Sequence, residues 1–350
     1  MRKYFGWNFT TGLLIGCVIA LAVAIAGFAY ERYDTKTIKR TIRRDAVFCG
    51  VNTGLPGFSA KDDKGNWSGF DVDFCRAIAA AIFDDPKKVN FIPLDAKERF
   101  EELGKRKVDV LARNSTWTMS RETDYYLHFA GVSYYDGQGF MLPRAKNVDS
   151  ALALDGSKVC VQSGTTTELN LADYFRANNI KYEAMKFGSV DEVFKGYEAG
   201  HCDVLTADVS QLYALRLKLK KPTDHIILAD VISKEPLGPV VRHRDDQWLL
   251  IVKWVLFAMI DAEELGISSQ NVDAALKSQK PEVRRFVGNE GDYGADIGLP
   301  KDWALRVIRR VGNYGEVYER NIGNGSPLGI PRGLNQLWNA GGILYAPPIR

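Results

Sequence analysis

Val108-Asp109-Val110-Leu111-Ala112-Arg113-Asn114-Ser115-Thr116-Trp117-Thr118-Met119-Ser120-Arg121-Glu122 passes from a largely apolar run directly into a polar one. The first five residues read as a short buried strand. Just past its carboxyl end come four hydroxyls, an amide, a Trp and an Arg. Open α/β sheets bind ligands at that end of their strands. An arginine fork beside hydroxyls suits a small carboxylate. No nucleophile–base pair accompanies them, so the stretch reads as a holder of ligand rather than a catalyst.

The same scheme recurs 94 residues later. Phe100, Asp109, Val110 and Leu111 correspond to Phe194, Asp203, Val204 and Leu205, and Asn114 corresponds to Asp208. Two α/β units thus end their third strands in polar residues, and facing one another those ends would form a cleft.

Around the first strand end, Ala46–Val51, Val89–Leu94 and Val108–Ala112 read as strands. Phe70–Phe83 and Lys97–Lys107 read as helices, the former opened by Asp71 and Asp73 at the positive end of its dipole. The second unit offers strands at Lys158–Gln162, Lys181–Phe187 and Asp203–Thr206. Its helices are expected at Thr166–Asn178, Ser189–Ala199 and Val209–Leu219. This alternation is βαβαβ twice, with mainly parallel sheets. Gly137–Leu142 reads as an extended crossing and Leu237–Arg242 as the return, which makes a hinge of two strands. Asp245–Ile260 is then a long core helix, too short to span a bilayer. Trp303–Asn321 is a further helix, followed by a Gly- and Pro-rich tail that packs irregularly.

The N-terminus carries Arg2 and Lys3 before 18 uncharged residues at 13–30. Ala24-Ile25-Ala26 fits a cleavage site, so residues 1–26 read as a secretory signal peptide. The alternative is an uncleaved membrane anchor through 13–30, and Leu14-Ile15-Gly16-Cys17 has the look of a lipoprotein box. Residues 27–45 read as a solvated linker or a short amphipathic helix. Loss of the leader leaves 44 basic against 43 acidic residues, which gives no electrostatic case for nucleic acid. Four further cysteines, Cys49, Cys75, Cys160 and Cys202, suggest disulfides in an exported chain. Closure within each unit favours Cys49–Cys75 and Cys160–Cys202; buried thiols are the alternative. No CxxC or HxxxH spacing marks a metal site, the four histidines are scattered, and no cofactor is expected.

Arg121 is the first choice for a ligand carboxylate, with a surface pair to Glu122 or Asp124 as the bland alternative. Ser115, Thr116 and Thr118 support it, or else cap the helix beginning near Ser120. In the second unit, Gln162-Ser163-Gly164-Thr165-Thr166-Thr167-Glu168 runs from strand through Gly turn into a helix start. There Thr165 and Thr166 can face an anion, and Thr165 with Glu168 can also form a capping box. Asp208 can accept from an ammonium, or cap the helix at Val209. Carboxylate and ammonium sites together spell an α-amino acid. Of the aromatic residues Phe58, Trp67, Trp117, Tyr134 and Tyr135, most read as packing, and Trp117 is the best candidate for ligand contact.

Leu111–Glu122, Gly-Phe-Asp-Val-Asp at 69–73 and Val-Gln-Ser-Gly-Thr-Thr-Thr-Glu-Leu at 161–169 resemble the periplasmic polar-amino-acid-binding proteins of ABC importers. Asn-Thr-Gly-Leu-Pro-Gly-Phe at 52–58, Ser-Lys-Glu-Pro-Leu-Gly-Pro at 233–239 and Leu-Tyr-Ala-Pro-Pro-Ile-Arg at 344–350 resemble the general L-amino-acid branch. The resemblance implies a two-lobed periplasmic binding protein fold that closes on an L-amino acid and docks, as a monomer, on a membrane permease. It implies that Arg121 holds the α-carboxylate with backbone groups near Thr116 and Thr166, and that Asp208 holds the α-ammonium. Binders of cationic amino acids carry an acidic residue and an aromatic in the first loop. This chain has Asn52 and Leu55 there, which favours a broad or acidic and amide range, with Arg113 a candidate for a side-chain carboxylate. The division expected is residues 46–138 for the first part of lobe 1, 139–240 for lobe 2 with hinge crossings at its ends, and 241–350 for the rest of lobe 1 and a C-terminal extension. A membrane-tethered sensor and a dehydratase-like enzyme on the same scaffold are the competing readings.

Overall fold

The computed structural model describes residues 17–21 and 37–350. Most of the 1–26 leader, with its cleavage site, and most of the 13–30 apolar stretch lie outside the described residues. Among the described residues, no helix is long and apolar enough to cross a membrane.

Two five-stranded sheets, one per lobe, carry the fold. In chain order the strands are β1 (Val47–Val51), β2 (Ala60–Lys61), β3 (Trp67–Ser68), β4 (Val89–Pro93), β5 (Val110–Leu111), β6 (Leu127–Phe129), β7 (Tyr134–Asp136), β8 (Gln138–Pro143), β9 (Ser157–Gln162), β10 (Tyr182–Phe187), β11 (Val204–Asp208), β12 (His225–Ile227), β13 (Glu235–Leu237) and β14 (Val240–Arg242). Lobe 1 has the order β4-β1-β5-β14-β6 and lobe 2 the order β10-β9-β11-β8-β12. Each sheet is mixed. In each, four strands run one way and a single strand, β14 in lobe 1 and β8 in lobe 2, runs against its neighbours, because that strand enters its sheet through the hinge. The two crossing strands, β7 and β13, pair antiparallel as a separate ribbon, with Glu235 opposite Asp136. They lie a few residues before the segments expected from sequence. Gly238 follows at once, where a Cβ would meet the Gly131 carbonyl oxygen at 2.0 Å.

The repeat seen in the sequence has a structural job. Asp109 N–H donates to Phe48 O at 2.7 Å while its carboxylate accepts from Phe48 N–H at 2.8 Å. Asp203 does the same to Lys158, at 2.8 and 3.0 Å. Each Asp thus locks the start of a third strand to the first, and each is paired with a cation, Arg44 or Lys146.

Phe70–Phe83 forms the expected helix and buries its Ala- and Ile-rich body, ending at Asp84 in a left-handed conformation, φ 57°. It packs beneath Asp246–Glu264, whose Trp248 is fully buried and donates to Asp109 O at 2.9 Å. One expectation is narrowed and another changes. Of the linker and short-helix readings for 27–45, residues 37–44 take the helix: Thr37, Ile38 and Thr41 are buried, and Thr37 N–H donates to Asp245 at 2.7 Å. The single helix expected at 303–321 is two, Trp303–Arg310 and Tyr314–Asn321. Gly312, at φ 99°, breaks it and Asn313 with Glu316 forms a capping box that starts the second. The tail then wraps lobe 1, Arg332 forking onto Glu263 at 2.9 and 3.2 Å and Asn335 bonding both backbone groups of Tyr135.

Disulfides join Cys49 to Cys75 and Cys160 to Cys202, with Cα separations of 6.3 and 5.7 Å, one in each lobe. They close loops of 26 and 42 residues. Removing either, as in Cys160→Ala with Cys202→Ala, is expected to lower unfolding stability by about 2–5 kcal/mol, read from urea denaturation midpoints.

Candidate functional site

The cleft is built where β5 and β11, the middle strands of the two sheets, hand over to helices. After β5 the chain pairs across the hinge return: Trp117 N–H donates to Pro236 O at 2.8 Å and Gly238 N–H to Ser115 O at 3.0 Å. Thr118 then caps the helix Met119–Tyr125, accepting from Arg121 N–H at 3.3 Å. The cap points the Arg121 side chain back under the loop. Its Nη1 donates to Thr116 O at 2.6 Å, and the guanidinium lies 5.3 Å from the centre of the Phe100 ring. From lobe 2, Thr165 caps the helix Thr166–Ala177, so the first N–H groups of that helix face the cleft without intrahelical partners. Asp208 ends β11 at the N-cap position of Val209–Lys218 but makes no capping bond. Val209 N–H is taken by Gly137 O at 2.8 Å, which leaves the Asp208 carboxylate to the cleft.

These groups converge on one small, partly open cavity, of about 30 Å³. Arg99, Arg113 and Arg121 line it from lobe 1, and Asp208, Thr165 and Thr166 from lobe 2. The lobes are drawn together: Thr116 Oγ1 is 3.3 Å from Thr166 Oγ1. Arg99 Nε and Asp208 Oδ1 are both buried without a hydrogen-bond partner. Buried polar atoms are nearly always satisfied, so two orphans of opposite sign in one cavity mark a place for a ligand's own polar groups. Burial raises the Asp208 carboxyl well above the usual carboxylate range, helped by Asp136 and Glu235 and opposed by Arg121 and Arg99. Burial lowers Arg99 well below the usual guanidinium range, and Arg113 to about 10. The Asp71 carboxyl, pushed up by burial to about 7, holds the loop by accepting from Asn114 N–H at 3.0 Å.

Of the residues singled out from sequence, Arg121, Asp208, Thr116, Thr165 and Thr166 line the cavity, as does Arg113. The others lie outside its lining. Ser115 donates to Arg113 O at 3.2 Å and shapes the loop. Thr118 is the helix cap. Asn52 is fully buried and donates to Asn114 Oδ1 at 3.0 Å, supporting the loop from behind. Trp117 stacks on Phe129 with ring centres 5.5 Å apart and packs against the lobe 1 core.

Arg99, Gln162 and Gln211 are lining residues that sequence reasoning did not single out. Arg99 lies in the first turn of the short helix Arg99–Gly104, and nothing local distinguishes it from a solvated helix arginine. Gln162 and Gln211 line the cavity from lobe 2. Gln162 was visible as the last polar residue of β9, beside the Gly turn. Among the described residues, no group of three or more His, Cys, Asp or Glu is placed to hold a metal ion.

Residues 47–270 match the bacterial extracellular solute-binding proteins, family 3. The chain belongs to that family. It is 55% identical over 333 residues to the general L-amino acid-binding periplasmic protein AapJ of Rhizobium johnstonii, covering 95% of this chain and 98% of that one. It is 49% identical over 333 residues to the glutamate/glutamine/aspartate/asparagine-binding protein BztA of Rhodobacter capsulatus, covering 95% and 97%. Among solved structures, an ABC transporter periplasmic binding protein from Brucella ovis with glutathione bound is similar at 53% identity and a TM-score of 0.89. That likeness covers 90% of this chain and all of that one. The two-lobed periplasmic binding protein fold is therefore common to this family-3 protein and its structural relatives.

Proposed function

We propose that this family-3 protein captures L-amino acids in the periplasm by closing its lobes, prefers acidic and amide side chains, and delivers them unchanged, as a monomer, to an ABC transporter permease. The observation that carries the reading is Arg121 and Asp208 facing one cavity from opposite lobes. Arg121 with the free N–H groups at Thr166 takes the α-carboxylate. Asp208 takes the α-ammonium. That leaves Arg99 and Arg113, two buried cations beyond the needs of the α-carboxylate, to face the ligand's side chain, and a carboxylate or amide oxygen is what they accept. A cationic side chain would instead meet like charge in a low-dielectric site. The names of AapJ and BztA support the same reading.

Calorimetric titration with L-glutamate, L-glutamine, L-aspartate, L-leucine and L-arginine tests it. Glutamate, glutamine and aspartate should bind more tightly than leucine, and arginine should bind weakest. Absence of heat and of thermal shift with all five would exclude the proposal. Recovery of a chemically altered ligand after prolonged incubation would exclude its transport part.

A second reading, a γ-glutamyl peptide such as glutathione, is favoured by the Brucella ovis relative. Its free α-ammonium and α-carboxylate would use the same pair. The close approach of Thr116 to Thr166 favours the smaller ligand, and glutathione in the titration panel separates the two.

A further inference from the structure

Glu235 stands at the hinge, on β13, almost wholly buried at 1% exposure. It receives hydrogen bonds from both lobes at once. Its Oε2 accepts from Thr116 Oγ1 of lobe 1 at 2.6 Å and from Thr166 Oγ1 of lobe 2 at 2.9 Å. Its Oε1 accepts from Asn170 Nδ2 of lobe 2 at 2.7 Å and from Ser233 Oγ at 2.7 Å. Four donors on one carboxylate is a full complement for its lone pairs. Each threonine hydroxyl has one proton, and both point at Glu235. The 3.3 Å approach of the two hydroxyl oxygens is therefore held by the carboxylate between them and not by a bond of their own. The hydroxyls consequently turn lone pairs, not protons, toward the cavity.

We infer that Glu235 is the positioning residue of the closed cleft: it ties the lobe 1 loop to the lobe 2 helix start and thereby sets the spacing of the two halves of the ligand seat. It need not touch the ligand. Ser233 is a neighbour in the chain and the Thr116 loop is paired to the hinge return by backbone bonds, so it is the two lobe 2 bonds, from Thr166 and Asn170, that count toward the closed state and are lost in the open one. Charge-assisted bonds of this kind are about twice as strong as neutral ones. The buried carboxylate therefore biases closure even before ligand arrives. Ligand release then requires breaking this contact as well as those to the ligand, so the effect falls on dissociation more than on association. The inference rests on the cleft's being the ligand seat only for this last, kinetic part.

Small-angle scattering of the ligand-free full chain tests closure without any ligand. Glu235→Ala and the milder Asn170→Ala, which removes one lobe 2 donor outside the cavity lining, should both raise the radius of gyration above that of the wild type. Stopped-flow tryptophan fluorescence with L-glutamate reads the kinetics. Dissociation should accelerate about tenfold or more in Glu235→Ala, with association within about threefold of wild type. Unchanged scattering in Asn170→Ala and Glu235→Ala would overturn the inference. So would a lowered melting temperature in Glu235→Ala without a change in dissociation, since that is what a merely structural residue gives. If L-glutamate fails to bind the wild type while scattering still separates the variants, it is the amino-acid reading that fails and the positioning role that stands.

Discussion

Asp208→Ala should abolish most of the affinity for L-glutamate, a loss of about 2–5 kcal/mol, while leaving the ligand-free protein as stable as before or more so. The two effects have one cause. In the ligand-free cleft the carboxyl is buried, one oxygen has no partner, and Asp136 and Glu235 repel its charge. Removing it relieves a desolvated group that contributes little to folding. With ligand bound, the same carboxylate faces an ammonium, and truncation leaves that ammonium buried and unpaired. Titration calorimetry measures the first effect and thermal denaturation without ligand the second. A further consequence concerns protons. The free carboxyl is held protonated above the ordinary carboxylate range, and an ammonium beside it lowers its pKa. Where the pH lies below the free-state pKa and above the bound one, binding therefore releases a proton, and affinity rises with pH until the free-state pKa is passed. Calorimetry in buffers of different ionisation enthalpy reads that release, which should vanish in Asp208→Asn. A near-normal affinity in Asp208→Ala, or an affinity for L-glutamate that does not rise with pH anywhere from the ordinary carboxylate range upward, would remove Asp208 from the ammonium role.

Arg121→Ala should weaken L-glutamate binding by a similar amount, about 2–5 kcal/mol, but with a different signature. Arg121 also donates to Thr116 O and packs over Phe100. Its truncation should therefore lower the melting temperature as well, through an unsatisfied carbonyl and lost packing. Arg121→Lys separates the contributions. It keeps the positive charge but loses the two-pronged fork, so binding should recover only in part. Full recovery by lysine would mean that the carboxylate is held by charge alone. Calorimetry beside differential scanning of each variant makes both readings.

The pattern of success in reading the sequence follows from how local each signal is. The Asp109 and Asp203 repeat, the helix Phe70–Phe83 and the strand-end position of Asp208 are written in adjacent residues, so they were legible. The capping alternatives were legible too, and the structure takes one of them for Thr118 and rejects the other for Asp208. Trp117 reads as ligand contact because its neighbours in sequence are polar, whereas its neighbour in space is Phe129. Glu235 could be quoted as part of a motif, but its work lies with Thr116 and Thr166, 119 and 69 positions away. Arg99 has the same difficulty: only the approach of lobe 2 makes it a cavity residue. The break at Gly312 is local, yet helical periodicity continues on both sides and hides it.

The route of the chain also bears on the order in which the molecule can assemble. All five strands of the lobe 2 sheet come from one unbroken stretch, Gln138–Ile227. Lobe 1 is interrupted. Its sheet lacks β14 until Val240 has been made, and Phe70–Phe83 waits for Trp303–Arg310, with Arg310 forking onto Asp84 across 226 positions. Contacts between distant parts of a chain carry the closure entropy of all that lies between them and form late. During synthesis, the lobe that emerges second is thus the one equipped to become native first. The first part of lobe 1, made before Gln138, must remain unfinished until Val240–Arg242 and Trp303–Arg310 arrive. The native state of lobe 1 is therefore reached only when the end of the chain is in hand, whichever compartment it folds in.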